Sequence, residues 1–311
     1  MVNDLRGRRV GLIGANGFIG SAILKALIQS GLAPLALCGP SVNSRPIPAG
    51  IESLVCDLTD PSELNSMLSG LEVLIHSAGP PSVKHSFERP EDYIRVHTQG
   101  TATVTRACIE AKVDRLVYIS SAEVYGRPEV NPVPEIHRLQ ARSPYAAAKI
   151  GAERIIEAYA VSLALKAIIL RPFSIYGPDP TPYSLLNNII TMARCGTVRV
   201  QDLRPVRDYC YVGDLADAVL LACYMSTEKL KIFNVGTGKG TSVADFAALV
   251  LRSMGSSLPV LEDRSHARPV QSEIFELVAD NSRARNELGW DPKVNLEEGL
   301  RHVLAVHKSN A

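Results

Sequence analysis

Tyr145 and Lys149 are four residues apart in the stretch Tyr145-Ala146-Ala147-Ala148-Lys149, which has helical composition. On a helix that spacing sets both side chains on one face, one turn apart. A phenol with a reference pKa of about 10 is a poor base at neutral pH. An ammonium one turn away, together with an oxidised nicotinamide, favours the phenolate. Such a pair can take the proton of a hydroxyl while a hydride leaves the same carbon. The spacing also marks many ordinary helix faces, so the chemistry depends on what surrounds it. One neighbour is the apolar run Val117-Tyr118-Ile119 with Ser120-Ser121-Ala122-Glu123 after it. The C-terminal end of a strand is where open α/β sheets bind ligands, and a serine hydroxyl there can hold the same substrate oxygen.

Hydride chemistry needs a dinucleotide site, and Gly14-Ala15-Asn16-Gly17-Phe18-Ile19-Gly20 has the required spacing between a strand and a helix. Gly14 permits a tight turn, Gly17 lets backbone N–H groups approach a pyrophosphate, and Gly20 lets the helix pack close to the sheet. The helix N-terminus adds donors and a partial positive charge. The acid expected about 20 residues on, for the ribose hydroxyls, is absent. The second strand ends Leu37-Cys38-Gly39-Pro40, followed by Ser41, Asn43, Ser44 and Arg45. An arginine at this point can accommodate a 2′-phosphate, which leaves NADP open beside NAD. Asp57-Leu58 either brackets the adenine or starts the turn before Pro61.

The elements that must hold these groups alternate. Strands are expected at Arg9–Ile13, Pro34–Leu37, Ser53–Cys56, Val73–His76, Leu116–Ser120, Ala167–Leu170 and Lys231–Val235. Helices are expected at Ile19–Ser30, Pro61–Ser69, Tyr93–Ala111, Tyr145–Leu163 and Val243–Met254. Alternation with near-continuous apolar strands indicates an α/β fold: a doubly wound parallel sheet of Rossmann type, covered on both faces. The expected division is a dinucleotide-binding domain over residues 1–175, to which 205–237 return. A smaller substrate-binding lobe would comprise 176–204 and 238–311. Pro178-Asp179-Pro180-Thr181-Pro182 reads as a loop between them.

Composition narrows the function. The 311 residues carry 33 Lys+Arg against 32 Asp+Glu, a net charge of +1. That lacks the basic excess of a nucleic-acid binder, so an anionic ligand must meet a few placed arginines. No apolar stretch approaches the roughly 18 residues of a membrane span. The polar start and glycine-interrupted first strand argue against a secretory signal, and a cytoplasmic protein is expected. The six cysteines form no C-x-x-C pair, so reduced thiols and no metal site are expected.

Taken together, these motifs resemble those of the extended short-chain dehydrogenase/reductases, in the branch of NAD-dependent nucleotide-sugar epimerases and dehydratases. The resemblance runs through Gly14–Gly20, His76-Ser77-Ala78, Gly100-Thr101, Ser121–Gly126, Tyr145/Lys149, Arg171-Pro172-Phe173, Tyr176-Gly177-Pro178, Arg207-Asp208-Tyr209, Phe233-Asn234-Val235-Gly236, Asp280-Asn281-Ser282-Arg283 and Leu288-Gly289-Trp290. It implies Tyr145 as acid/base, Ser121 polarising the substrate hydroxyl, and Lys149 lowering the phenol pKa and holding the nicotinamide ribose. Gly14, Asn16, Gly17, Phe18, Ile19, Gly20, Asp57, Leu58, Ser77 and Ala78 would line the cofactor, with Pro172 and Phe173 at its carboxamide. Ser174, Arg207 and Arg268 would hold the substrate, the arginines at its pyrophosphate. Bidentate guanidinium contacts suit that task. Three positions depart from the family pattern: the missing acid near Cys38, His97 in place of an asparagine before Gly100-Thr101, and Ser174 in place of an asparagine.

The implied reaction is oxidation at C4 of a nucleotide sugar to a 4-keto intermediate, followed by hydride return: epimerisation. A 4,6-dehydratase or decarboxylase shares the first step, and Glu123 offers a base for it. The family's dehydratases place an acid between the positions of Ser121 and Glu123, and here that residue is Ala122. An NADPH-dependent carbonyl reductase is a further alternative. Relatives pair the helices matching Tyr93–Ala111 and Tyr145–Leu163 across a two-fold axis, which implies a homodimer.

Overall fold

The computed structural model describes residues 8–39, 45–228, 230–263 and 269–309. Seven segments form one parallel sheet: β1 (Val10–Ile13), β2 (Leu35–Cys38), β3 (Ser53–Val55), β4 (Val73–His76), β5 (Arg115–Ile119), β6 (Ala167–Pro172) and the strand Lys231–Val235. Their order is β3-β2-β1-β4-β5-β6, then Lys231–Val235. Register pairs Leu12 with Ala36 on one side and Ile75 on the other. Winding reverses between β1 and β4, so a crevice opens there at the C-terminal strand ends. The strands β1, β4, β5 and β6 are buried along their whole length, which is why their sequences run apolar without alternation.

One face is covered by α1 (Phe18–Gln29) and the helix Val212–Tyr224, which bury Ile23, Leu27, Val219 and Ala222 against it. The other is covered by α2 (Pro61–Leu68), α5 (Gly100–Glu110) and α6 (Pro144–Ser162). Leu64, Leu68, Val104, Cys108, Ala152 and Ile156 pack there. A separate apolar cluster lies in the C-terminal half. Leu186, Ile189, Phe246, Val250, Leu300 and Val303 meet between the helices Leu185–Arg194, Val243–Ser253 and Leu296–Ser309. Tyr209 stacks on Phe246 with centroids 4.0 Å apart. Trp290 closes the chain back onto the sheet by donating from Nε1 to the Asp214 carbonyl at 2.8 Å.

Element boundaries fall within two residues of those expected, except around Tyr93–Ala111. Two short helices precede that region, α3 (Val83–Glu88) capped by Ser82, and α4 (Pro90–Tyr93) with proline in its first turn. A π-helical turn over Ile94–Gln99 then leads into α5. Apolar spacing over such a stretch averages a period near 3.6, so a wider turn leaves no mark on it. No described helix is long and apolar enough to cross a membrane. No group of metal-binding side chains occurs among the described residues.

Candidate active site

The glycine-rich turn links β1 to α1. Gly14 has φ +82, and a Cβ on it would lie 2.9 Å from the Ala78 backbone. A Cβ on Gly20 would lie 1.9 Å from the Gly14 carbonyl oxygen, so only glycine lets α1 start this close to the sheet. Gly17 is the helix N-cap and has no side chain to occupy the first-turn N–H groups. These donors, the helix dipole and the exposed Gly17 backbone fit a dinucleotide pyrophosphate. Asn16 is buried and ties the neighbouring strand in, its Nδ2 donating to the Gly39 carbonyl at 3.0 Å. Phe18 and Ile19 are half-buried at the start of α1. Ser77 donates to the Ile13 carbonyl at 2.9 Å, which sets Ala78 beside Gly14.

The third strand delivers Asp57 to the surface, where its Oδ1 accepts from the Thr59 backbone and hydroxyl, each at 2.8 Å. These bonds hold the carboxyl below its usual range. Asp57 thus shapes a turn, and Leu58 beside it is buried. Arg45 stands 5.4 Å from the Phe18 ring centre, and its guanidinium donates to the Asp179 carbonyl. The positions Ser41, Asn43 and Ser44 lie outside the described residues, as does Arg268.

At the C-terminal edge of β5, Ser121 caps a 3₁₀ turn over Ala122–Tyr125 by accepting from the Glu123 N–H at 3.2 Å. Across from it, Ser143 caps α6, with Pro144 in the first turn, and this starts the helix just ahead of Tyr145. Burial pushes the Tyr145 phenol up to about 12, while its hydrogen bond with Ser121 pulls the other way. The nearby Glu123 charge adds to the rise. One turn on, Lys149 is buried and donates to the Ile119 carbonyl at 2.7 Å, 4.8 Å from the Tyr118 ring centre. Burial draws its ammonium down to about 7 against the opposing charge of Glu153. Ser121 and Tyr145 therefore meet by a hydrogen bond at the end of β5, Lys149 reaches the Ile119 carbonyl two residues before Ser121, and Glu123 is half-buried close to Tyr145.

Glu153, a turn beyond Lys149, anchors a buried network. Its carboxylate accepts from Ser120 Oγ at 2.5 Å and from Arg171 Nε and Nη2 at 3.0 and 2.6 Å. Arg171 Nη1 also donates to Tyr125 Oη at 2.9 Å, and Tyr125 to Asn234 Oδ1 at 2.6 Å. The network cross-links α6, β6, the 3₁₀ turn, the strand Lys231–Val235 and Ser120 just after β5. The positions of Ser121 and Lys149 depend on them. Pro172 ends β6, and Phe173 packs into a core with Ala122, Val124 and Tyr125. Ser174 is half-buried, its N–H donating to the Asp208 carbonyl at 2.9 Å. Arg207 is buried and pairs with Glu273 Oε1 at 3.0 Å.

Sequence reasoning missed Glu153 and Tyr93 as neighbours of this site, whereas His97 stood out in the sequence as either a reorganised substrate-side residue or a satisfied core histidine. The continued spacing Tyr145, Lys149, Glu153 along one helix face is a signal for the first. His76 and His97 are both buried, and burial lowers both, His76 to about 3, so both rings are neutral.

The chain has recognised relatives. Residues 10–236 match the model of the NAD dependent epimerase/dehydratase family. A UDP-glucose 4-epimerase of Azospirillum brasilense is 31% identical, over 97% of this chain and 92% of that protein. The crystal structure of a Thermotoga maritima UDP-glucose 4-epimerase with UDP-glucose superposes with a TM-score of 0.90 at 26% identity, covering 97% of this chain and 99% of that one. A Thermus thermophilus UDP-glucose 4-epimerase in complex with NAD gives a TM-score of 0.87 at 29% identity, covering 97% and 100%. The sheet order accords with that match, which spans most of the chain, and the chain belongs to the NAD-dependent epimerase/dehydratase family.

Proposed function

We propose that this protein epimerises a UDP-hexose at C4, with Tyr145 as acid/base, Ser121 holding the reacting oxygen and Lys149 biasing the phenol towards its anion. The observation that carries this reading is the hydrogen bond of Tyr145 with Ser121 at the C-terminal end of β5, with Lys149 one turn along α6 anchored to the Ile119 carbonyl at 2.7 Å. NAD, when bound, supplies the hydride acceptor and donor. Tyr145 takes the proton of the C4 hydroxyl and later returns it to the same oxygen. Lys149 keeps the phenolate accessible by its charge. Arg207 is assigned to the substrate pyrophosphate, Arg268 with it, and Ser174 to the sugar side. The separate apolar cluster of Leu186, Ile189, Phe246, Val250, Leu300 and Val303 supports a substrate lobe drawn from 176–204 and 238–311 beside a cofactor unit (1–175 with 205–237), although Ala284, Leu288 and Trp290 pack into the core of the sheet.

Elimination of water would need an acid to protonate the departing C6 hydroxyl. Ala122, between Ser121 and Glu123, is buried in an apolar cluster and has no proton to give. A general acid is worth about 10²–10⁴-fold, so hydride return outruns elimination. Incubation with UDP-, GDP- and dTDP-hexoses, read by NMR, is expected to yield a C4 epimer of the UDP sugar that keeps its C6 hydroxyl. A 4-keto-6-deoxy product overturns this reading in favour of a dehydratase.

The assembly assigned here is a cytoplasmic homodimer. All six cysteines are free, which suits a reducing compartment. Ile94 in the π-helical turn and Val161 on α6 are exposed apolar side chains on the helices expected to pair. Sedimentation at micromolar concentration is expected to show a dimer, and monomer alone rejects the assignment.

A further inference from the structure

We propose that Tyr93 and His97 form a positioning brace that ties the segment 79–88 to the ring of Tyr145, and that this segment is one wall of the substrate site. The proposal rests on the reading of Tyr145 as the acid/base. Tyr93 ends α4 and His97 lies in the π-helical turn, and both are buried. Each ring meets the Tyr145 ring edge-on, Tyr93 at 6.1 Å and 86°, His97 at 5.3 Å and 81°. Such T-shaped contacts are directional, so they orient the phenol as well as bury it.

The same two side chains also hold the turn that follows β4. Tyr93 Oη donates to the Ser82 carbonyl at 2.6 Å, and His97 Nε2 lies 3.0 Å from the Pro80 carbonyl. A carbonyl only accepts, so Nε2 carries the proton of the neutral ring. Nδ1 is then a bare acceptor, buried with no hydrogen-bond partner. The turn backbone lies directly against this ring. Gly79 has φ +132, and a Cβ there would come 2.1 Å from His97 Cε1.

From this turn the chain continues as α3, where Val83 packs against Tyr93, Tyr145 and Ala148. The His85 ring meets Tyr183 edge-on at 4.5 Å, in the loop ahead of the helix Leu185–Arg194. Segment 79–88 therefore bridges the catalytic tyrosine and that loop of the C-terminal half. A substrate seated against it is presented to a phenol held by the same two rings. Misplacement by about 1 Å can cost roughly 100-fold, which gives a shared anchor its value.

The test uses the full-length NAD-loaded protein and three variants. Tyr93→Phe and His97→Phe keep a ring and remove one donor, while His97→Gln keeps an amide donor near the Nε2 position. In both Phe variants, hydrogen exchange of peptides covering 79–88 is expected to quicken about five- to tenfold, the worth of one such bond. The KM for the UDP-hexose is expected to rise by a similar factor, with kcat within about twofold of wild type. His97→Gln is expected to match wild type in exchange and KM, because it keeps the donor to the Pro80 carbonyl, and to lower kcat, because it loses the ring that orients the phenol. Unchanged exchange in the Phe variants overturns the brace. Faster exchange with unchanged KM overturns its link to substrate. A wild-type protein that turns over no UDP-hexose counts against the epimerase reading, while the exchange measurement still decides the brace.

Discussion

Replacing Tyr145 by phenylalanine is expected to lower turnover of a UDP-hexose by about 10²–10⁴-fold, with fold and NAD binding unchanged. The variant removes one oxygen from a ring that packs against Tyr93, His97 and Ala148. That ring still fills its place, so the loss falls on proton transfer. The phenol stands high, at about 12, because burial disfavours its anion and the hydrogen bond with Ser121 offsets this only in part, so a positive charge nearby is needed to favour the phenolate further. Lys149→Met is therefore expected to be nearly as severe. It removes the charge that favours the phenolate and also the bond to the Ile119 carbonyl. Initial rates by a coupled assay, with bound NAD measured on the same samples, check both variants. Tyr145→Phe activity above about a hundredth of wild type contradicts the acid/base role.

Glu153→Ala is expected to cost about 3–5 kcal/mol of stability, because it leaves Arg171 charged and buried without its partner. Both side chains are almost wholly inaccessible to water, at 3% and 2%. Screening and solvation therefore cannot make up the loss. The double substitution Glu153→Met with Arg171→Met removes both charges and is expected to recover much of it. Recovery stays partial, since Ser120 and Tyr125 lose partners in that variant. Urea unfolding of the three proteins checks this, and a single-variant loss under about 1 kcal/mol rejects the network as a strong constraint. Activity should fall along with stability in Glu153→Ala, because Ser120 adjoins Ser121 and Glu153 sits one turn from Lys149.

The sheet and its helices were legible in the sequence because their physics is local. A strand buried on both faces must be mostly apolar, and β1, β4, β5 and β6 are, with His76, Arg115 and Arg171 as the buried polar exceptions. The Gly14–Gly20 spacing, Tyr145 with Lys149, and Ser121 after β5 were likewise readable, since each is a short-range pattern with a backbone reason. Asp57 was ambiguous from sequence. The structure shows its Oδ1 accepting from the Thr59 backbone and hydroxyl, two residues away, in a turn.

What only the tertiary structure decided are contacts between residues far apart in the chain. Arg171 and Glu153 are 18 residues apart, Tyr125 and Asn234 are 109 apart. No periodicity encodes such pairs. The sheet order brings them together, and their mutual hydrogen bonding is what makes burying them tolerable. His97 is the sharpest instance. In the sequence it is an imidazole three residues before Gly100-Thr101, with no partner in view. Its partners, Tyr145, Pro80 and Gly79, converge on it through a π-helical turn that apolar spacing cannot register. The sequence determined which side chains could do chemistry. Long-range packing determined which of them share a site, because a hydrogen bond acts over about 3 Å in space whatever the distance along the chain.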